Sequence, residues 1–429
     1  MIEGLIPYYL HWYHTKPVAI TQARKRELER LHRVLYRCAE HFSLKYKDYV
    51  GRYMPLSDKV MQILQMQENY PFRAGTWRPD YIITEDGSLK ICEITSRFFA
   101  HGIFMSVFAE TAADRFMGSF PGRTRSSSYP ALMEYMLEIL DGRREIFVLK
   151  SADRTSEIRL YKDFYERHGC SVAVLEAPEV EPRRKEWARP GVFLISALNQ
   201  ADILSFSPDT WRAMMDCGMY SEFRNIFLIH DKRFMRLWFE DSFTSACLSP
   251  GDTAFLRRHA IPTYILDKED KTLSNGVGQN FFDLFSGEKV LVREVNKVLS
   301  RKTENVLCKT ENVLSSNKDG FILKPYNLGK SEGVHAGVMT SQEDWEKLLE
   351  HPEGMIVQPF LKQRRYQTVW EGKTYQDYIC GMMLCVNDRY FGNGLFRCSS
   401  LPVTNVGDDR KACPLETDDP EILAKCDVL

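Results

Sequence analysis

The sequence lacks several features that would assign a chain to a broad class of protein. None of its 11 cysteines belongs to a CxxC pair. We therefore expect reduced thiols rather than a zinc site or a disulfide framework. No apolar run approaches the ~20 residues that a membrane helix needs, and residues 1–13 lack the pattern of a secretory signal. These absences predict a cytoplasmic protein with no membrane partner.

The charge balance excludes a further class. The 57 Lys and Arg residues are offset by 58 Asp and Glu residues, which leaves a formal net charge of −1. Such a balance argues against a general nucleic-acid binder. With 44% hydrophobic and 27% charged residues, the 429-residue chain has ordinary globular composition. Its length favours two or three domains.

The first 260 residues contain two kinds of periodicity. Residues 18–70 show the 3.6-residue spacing of amphipathic helices. Two apolar runs on either side of Asp86-Gly87 then predict a β-hairpin. After residue 130, short apolar runs alternate with amphipathic helices, which favours an α/β unit with a parallel sheet. Its predicted strands are Ile146–Leu149, Val172–Leu175, Val192–Ser196 and Ile226–Ile229.

The pattern changes again near residue 262. Lys289–Leu299 has the spacing of an amphipathic helix, and the later apolar runs predict strands at Phe321–Leu323, Met355–Val357, Tyr378–Val386 and Tyr390–Phe396. We therefore divide the chain into an N-terminal helical region with the hairpin (1–140), an α/β domain (141–260) and a third unit (261–429).

Lys324 ends a predicted strand, and a loop with two glycines follows it. Glycine allows backbone N–H groups to approach a phosphate closely, and the lysine adds a positive charge. The alternative is a plain hairpin with a glycine-rich turn. The candidate phosphate-binding residues of this loop are Gly329, Lys330, Ser331 and Gly333.

The predicted hairpin brings Asp80 and Glu93 to the same end of neighbouring strands. Two carboxylates can hold Mg²⁺, which prefers oxygen ligands, and the side-chain amide of Asn405 could complete the shell. Arg78 and Arg97 are candidates for bidentate binding of a phosphate or a substrate carboxylate. Arg97, His101, Arg123 and Arg125 could bind a carboxylate, and a solvated basic surface explains them equally well. The alternative is an exposed hairpin with surface charges.

Three further residues occupy the ends of predicted strands. Lys232 follows an apolar run and could reach a phosphate, although a solvated helix start explains it equally well. Gln358 begins a polar linker that could form a hinge around adenine. Arg397 precedes a polar loop, and the alternative there is an ordinary strand exit.

Together, these segments resemble the ATP-grasp superfamily of carboxylate–amine ligases. The carboxylate motif precedes the lysine and its glycine loop, which is the order of the circularly permuted branch that includes glutathionylspermidine synthase. That branch has R-x-D, about twelve residues, and then E-x-N. Arg78, Asp80 and Glu93 match this pattern, whereas Thr95 stands where the branch has asparagine.

The resemblance implies an α/β (α+β) ATP-grasp fold with a Rossmann-like region at 141–260 and the nucleotide-binding lobe at 261–429. It implies a peptide-biosynthesis type of reaction. ATP phosphorylates a small carboxylate substrate, an amino acid or peptide, and an amine then displaces phosphate to form an amide or peptide bond. The implied cofactors are ATP and Mg²⁺, and a homodimer is a further expectation.

The resemblance also implies roles for single residues. Two alternatives stay open: a phosphotransferase of the same fold, and a non-catalytic nucleotide-binding protein, which Thr95 favours. In the ligase, Arg78 and Arg397 would stabilise the transferring phosphoryl group. Asp80, Glu93 and Asn405 would hold Mg²⁺. ATP would contact Lys232, Lys324, Gly329, Lys330, Ser331, Gly333 and Gln358.

Overall fold

The structure is a computed structural model that shows a mixed α/β fold with several sheets. It describes residues 11–97, 102–117, 129–152, 156–266, 280–282, 289–291, 314–315, 317–329, 331–404 and 410–429. Within these ranges, no helix combines the length and the apolar character that are needed to cross a bilayer.

The α-helices, numbered along the chain, are α1 Gln22–Lys45, α2 Lys47–Tyr53, α3 Asp58–Gln67, α4 Ile103–Met117, α5 Tyr129–Glu138, α6 Ser156–Arg167, α7 Ala177–Val180, α8 Arg184–Trp187, α9 Gln200–Ser205, α10 Pro208–Cys217, α11 Phe234–Leu237, α12 Asp241–Cys247, α13 Pro250–His259, α14 Gln342–Glu350 and α15 Pro420–Leu423.

The strands are β1 Val18–Ile20, β2 Thr76–Ile83, β3 Leu89–Thr95, β4 Glu145–Lys150, β5 Ser171–Glu176, β6 Val192–Ala197, β7 Tyr264–Ile265, β8 Asn280–Phe282, β9 Lys289–Leu291, β10 Phe321–Pro325, β11 His335–Ala336, β12 Met355–Pro359, β13 Arg365–Trp370, β14 Lys373–Val386, β15 Arg389–Asn393, β16 Phe396–Ser399, β17 Arg410–Ala412, β18 Pro414–Glu416 and β19 Asp427–Val428.

The helical prediction for residues 18–70 is confirmed by α1, α2 and α3. Helix α1 begins where the Thr21 hydroxyl accepts a hydrogen bond from the backbone N–H of Arg24, which satisfies one of the free donors of the first turn. Leu28, Leu31 and Leu35 recur at helical spacing and are fully buried. The apolar stripe of α1 therefore forms one wall of the main core.

The predicted hairpin is also confirmed, as strands β2 and β3. They are the last two strands of an antiparallel sheet in the order β17-β16-β14-β2-β3, with β13 and β15 also paired to β14. Residues 76–95 thus share one sheet with residues 365–412. The proposed boundaries at residues 141 and 261 remain a prediction.

Close approach of β14 to β2 depends on a glycine. A Cβ atom on Gly381 would lie 2.3 Å from Cζ of Tyr81, whose hydroxyl donates a 2.7 Å hydrogen bond to Asn393. A larger residue at position 381 would displace this fully buried ring.

The α/β unit has the predicted parallel strands β4, β5 and β6, in the order β5-β4-β6. The prediction of a fourth strand at Ile226–Ile229 is wrong, because Asn225–Ile229 forms a π-helical turn in which His230 N donates to Asn225 O at 2.8 Å. A short, wholly buried apolar run has no alternation that distinguishes a strand from a helical turn.

Another antiparallel sheet has the order β11-β10-β12-β7, and it contains the predicted strands at Phe321–Leu323 and Met355–Val357. The helix prediction for Lys289–Leu299 is wrong at its start, because Lys289–Leu291 forms strand β9 and pairs with β8. Local pairing has overridden the helical spacing of these three residues. The rest of that prediction lies outside the described residues.

His32 provides a test of the core beside β2. Its ring stacks on Trp77 at 5.4 Å and on Tyr390 at 5.8 Å, and the residue is only 2% exposed. Burial lowers the pKa of His32 to about 4, although nearby Asp388 opposes the shift. The unfolded chain therefore binds a proton between pH 6.5 and 4 that the folded chain does not.

We expect His32 to remove about 3 kcal/mol from the free energy of unfolding as the pH falls from about 7 to about 4. The loss begins near the unfolded pKa and is complete below the folded pKa. His32→Phe should retain the ring stack and lack this loss. Urea unfolding of both proteins across this range measures the difference, and equal pH slopes would contradict the assignment.

Candidate functional site

Several of the predicted site residues line one cleft between the two antiparallel sheets. The cleft opens to solvent, and its empty space is about 730 Å³ when the open solvent at its mouth is counted. It receives side chains from β3, β10, the loop after β10, β12, β14 and β16. The sequence-predicted residues among its walls are Glu93, Lys324, Ser331, Gln358 and Arg397.

Asp80 lies behind the wall of this cleft and is fully buried. Arg78 donates to both of its carboxylate oxygens, at 2.7 and 2.9 Å. Arg397 donates to one of them at 2.6 Å, although the register places it opposite Cys380 on β14, the strand that separates β16 from β2. One carboxylate therefore orients two guanidinium groups, of which Arg397 alone reaches the cleft.

These residues do not fit the expected magnesium site. Both oxygens of Asp80 are held by arginines, so that carboxylate is not available to a metal in this arrangement. Glu93 contributes one carboxylate to the cleft wall, and Asn405 lies outside the described residues. In the part of the chain that the structure describes, no group of three His, Cys, Asp or Glu side chains is placed to hold an ion.

Glu93 lies directly opposite Asp80 in the β2–β3 pair, as predicted. Its Oε2 is 3.6 Å from the ammonium of Lys232. Burial would raise the pKa of Glu93, but Lys232, Arg397, Lys324 and Arg78 together lower it to about 2. Glu93 is therefore ionised at neutral pH and partly neutralises a strongly cationic end of the cleft.

Lys232 supports the glycine loop and does not line the cleft itself. Its backbone N–H donates to Tyr326 O at 2.8 Å, and its ammonium donates to the carbonyl of Leu328. The guanidinium of the next residue, Arg233, stacks on the Tyr326 ring at 3.7 Å. The segment that follows the π-helical turn thus holds the start of the loop next to Glu93.

The glycine loop itself has an unusual backbone. Gly333 has a φ of +65°, and a Cβ there would lie 2.8 Å from Cγ of Pro325. Ser331 has a φ of +61°, and its hydroxyl donates to Thr404 O at 2.8 Å, across the mouth of the cleft. A Cβ on Gly329 would lie 2.7 Å from Arg97 Nη2. Lys330 lies outside the described residues, as do His101, Arg123 and Arg125.

Gln358 is buried in the wall of the same cleft, opposite Ile322 in the β10–β12 pair. Its Nε2 donates to the Thr263 hydroxyl at 2.8 Å, and that hydroxyl donates to Ile261 O at 3.1 Å. This chain of bonds fixes the orientation of the amide. Its Oε1 is buried and accepts no hydrogen bond from the described residues. Ile322, Phe360 and Val403 supply apolar walls around it.

Sequence reasoning missed Cys380 and Thr263 as site residues. Cys380 lines the cleft and accepts a 3.3 Å hydrogen bond from Arg397. Only the pairing of β14 with β16 places these two residues opposite each other. Thr263 precedes a strand of two residues, β7, which is too short to give a periodic signal.

The comparisons with known proteins give limited information. The family model of the AnkG N-terminal domain matches residues 29–228, which is less than half of the chain. No curated protein matches the sequence. Among solved structures, the chain is similar to a candidate gamma-glutamylcysteine synthetase from Methylobacillus flagellatus KT, over 91% of this chain and 85% of that one. With 10% identity and a TM-score of 0.33, this similarity carries no structural argument.

The buried Arg78–Asp80–Arg397 network predicts a large cost for Asp80→Asn. The variant leaves two largely buried guanidinium groups with no carboxylate between them, so we expect a loss of about 3–5 kcal/mol in the free energy of unfolding. Urea denaturation at neutral pH measures it.

Asp252→Asn is the matched control for this experiment. Asp252 pairs with Arg30 near the surface, where an ion pair contributes about 1 kcal/mol or less. If the two variants lose the same small amount of stability, Asp80 does not hold the two arginines as described.

Proposed function

We propose that this chain is an ATP-dependent carboxylate–amine ligase with a circularly permuted ATP-grasp fold. One observation carries the proposal. Residues from distant parts of the sequence line a single cleft, in which cations surround Glu93 and apolar side chains accompany Gln358. We call the group of Glu93, Lys324 and Arg397 the cationic end, and Gln358 with its apolar neighbours the apolar end. A nucleoside triphosphate has the same division of charge.

The cationic end suits a chain of phosphates. Lys324 and Arg397 line it directly, and Lys232 lies beside Glu93. Arginine binds phosphate oxygens through a planar fork and lysine through a point charge. Since Asp80 is occupied by arginines, the described residues would neutralise phosphate charge through these cations, with no step assigned to a protein-held metal.

The apolar end suits adenine. The free Oε1 of Gln358 is an acceptor in a buried setting, and the exocyclic amine of adenine is a donor. An unmade hydrogen bond there costs free energy, which a matching donor recovers. Ile322 and Phe360 offer apolar surface to the flat ring. This match supports ATP over a purely phosphate ligand.

The proposed reaction requires positioning and no side-chain nucleophile. A substrate carboxylate oxygen forms a bond to the γ-phosphorus of ATP as the bond from that phosphorus to the oxygen of ADP breaks. An amine then bonds to the acyl carbon, the carbon–oxygen bond to phosphate breaks, and the amine proton passes to solvent. Arg397, oriented by Asp80, would stabilise charge on the transferring group. The loop tied down by Ser331 would exclude water.

The rest of the proposal concerns organisation and partners. The parallel strands β4–β6 support a Rossmann-like region within residues 141–260, beside a nucleotide lobe at 261–429. The substrates would be a small carboxylate and an amine. The reaction would belong to peptide biosynthesis, and the chain would form a homodimer. A non-catalytic nucleotide binder is the second candidate, because Asp80 is committed to arginines and Thr95 replaces the asparagine of the permuted branch.

We expect ATP to raise the midpoint of thermal unfolding, since a ligand that binds only the folded state stabilises it by about 2.7 kcal/mol at 100 times its Kd. Lys324→Ala should weaken ATP binding tenfold or more, because it removes a cation from the cleft wall. Titration of ATP in EDTA and in magnesium compares the two conditions for each protein.

Lys347→Ala is the matched control, because Lys347 is exposed on α14 and pairs with Glu343 far from the cleft wall. ATP affinity that is equal in both variants would remove the phosphate-site assignment. Release of ADP that depends on both an acid and an amine would establish the ligase. ATP binding without such release would favour the non-catalytic candidate.

A further inference from the structure

Two cysteine side chains from distant parts of the chain meet where helix α1 packs against helix α12. Phe42 of α1 contacts Phe243 of α12, with ring centroids 6.4 Å apart. Cys38 lies one turn before Phe42, and Cys247 lies one turn after Phe243. The thiols of these two cysteines are hydrogen-bonded to each other. Two successive turns of each helix therefore face each other in antiparallel order.

The two thiols differ in their access to solvent. Cys38 is fully buried in the main core, whereas Cys247 ends α12 and is partly exposed. The Cys247 thiol donates to Phe243 O at 3.4 Å, so its lone pairs are left to accept from Cys38. That hydrogen bond lowers the pKa of the Cys247 thiol, although burial opposes the shift, and burial raises the pKa of the Cys38 thiol. An accessible thiol with a lowered pKa is the one that reacts with an oxidant.

A second pair of thiols shows that contact alone does not permit a disulfide. Cys92 and Cys380 are also hydrogen-bonded to each other, but their strands, β3 and β14, pair with opposite edges of β2. Strands that flank a third strand are roughly 9–10 Å apart, whereas the Cα atoms of a disulfide are usually less than 7 Å apart. No strand or helix separates the facing turns of α1 and α12, whose Cα atoms approach within 8 Å. The pair on the helices is therefore the one that a small movement can join.

We propose that Cys38 and Cys247 are a redox-sensitive pair that hydrogen peroxide converts into a disulfide between α1 and α12. The Cys247 thiolate attacks a peroxide oxygen. A sulfur–oxygen bond forms, the oxygen–oxygen bond breaks, and the hydroxide that leaves is protonated to water. The Cys38 sulfur then bonds to the Cys247 sulfur, the sulfur–oxygen bond breaks, and hydroxide leaves with the Cys38 proton as a second water. The two thiols together lose two electrons, which reduce the peroxide.

The pair lies behind the segment that supports the glycine loop. Phe42 also stacks on Phe234, with ring centroids 5.1 Å apart. Phe234 lies two residues after Lys232, whose ammonium donates to the carbonyl of Leu328. The disulfide would therefore fix α1 to α12 one turn away from this contact. Its formation does not rest on the proposed function, because no nucleotide takes part in it.

The test treats the native full chain with hydrogen peroxide, blocks the remaining thiols with iodoacetamide and analyses its peptides by mass spectrometry without reduction. We expect a peptide that joins Cys38 to Cys247 and that dithiothreitol separates, with the loss of two of the 11 thiols. The oxidised chain should unfold at a higher temperature than the reduced chain, because the cross-link closes a long loop and restricts the unfolded state.

Two variants make the test specific. Cys247→Ser removes the partly exposed sulfur, so it should abolish both the cross-linked peptide and the rise in the unfolding temperature. Cys426→Ser is the matched control, because Cys426 is also partly exposed but lies beside Lys16 and Asp427. It should form the cross-link to the same extent as the unaltered chain.

Each remaining outcome contradicts the inference. Oxidation that takes Cys247 to a sulfinic acid and leaves Cys38 as a free thiol overturns the pair. A cross-link that forms in urea but not in the native chain overturns it as well, because the contact would then not belong to the fold. A peptide that joins Cys92 to Cys380 in its place overturns the geometric argument. All these results are independent of ATP binding, so they leave the proposed function to its own test.

Discussion

The arrangement of the cleft depends on the carboxylate of Asp80. Two arginines enter the interior of the sheet at this point, and burial of guanidinium groups is costly unless an anion is placed between them. Asp80 accepts hydrogen bonds both from Arg78 on its own strand and from Arg397 on β16. It therefore fixes the direction in which Arg397 faces the cleft, and it links strands that are more than 300 residues apart in the sequence.

The same interaction explains why the metal expectation and the structure differ. A carboxylate pair on a hairpin is compatible with magnesium, and it is equally compatible with an arginine network. The sequence motif contains Arg78 two residues before Asp80, which keeps both options open. The arginine that decides between them, Arg397, comes from a strand whose position depends on the pairing of β14 with both β2 and β16. A motif considered alone could not include it.

Much of the local structure could be predicted because it is encoded by nearby residues. The periodicity of α1, the Asp86-Gly87 turn and three of the four predicted strands of the α/β unit match the structure. The failures occur where tertiary pairing or burial dominates, as at Asn225–Ile229 and Lys289–Leu291. For the site, the sequence supplied Glu93, Lys324, Ser331, Gln358 and Arg397 as one group. Thr263 and Cys380 require the three-dimensional contacts.

Electrostatics dominates the part of the cleft around Glu93. Lys232, Lys324, Arg78 and Arg397 surround Glu93, and Arg97 adds its charge to the same group. Asp80 and Glu93 lie among these cations, and Asp231, which is paired with Arg233, also acts on Lys232, so the described residues place more positive than negative side chains at this end of the cleft. A folded protein tolerates such an excess at a cost in stability, and a bound polyanion reverses that cost.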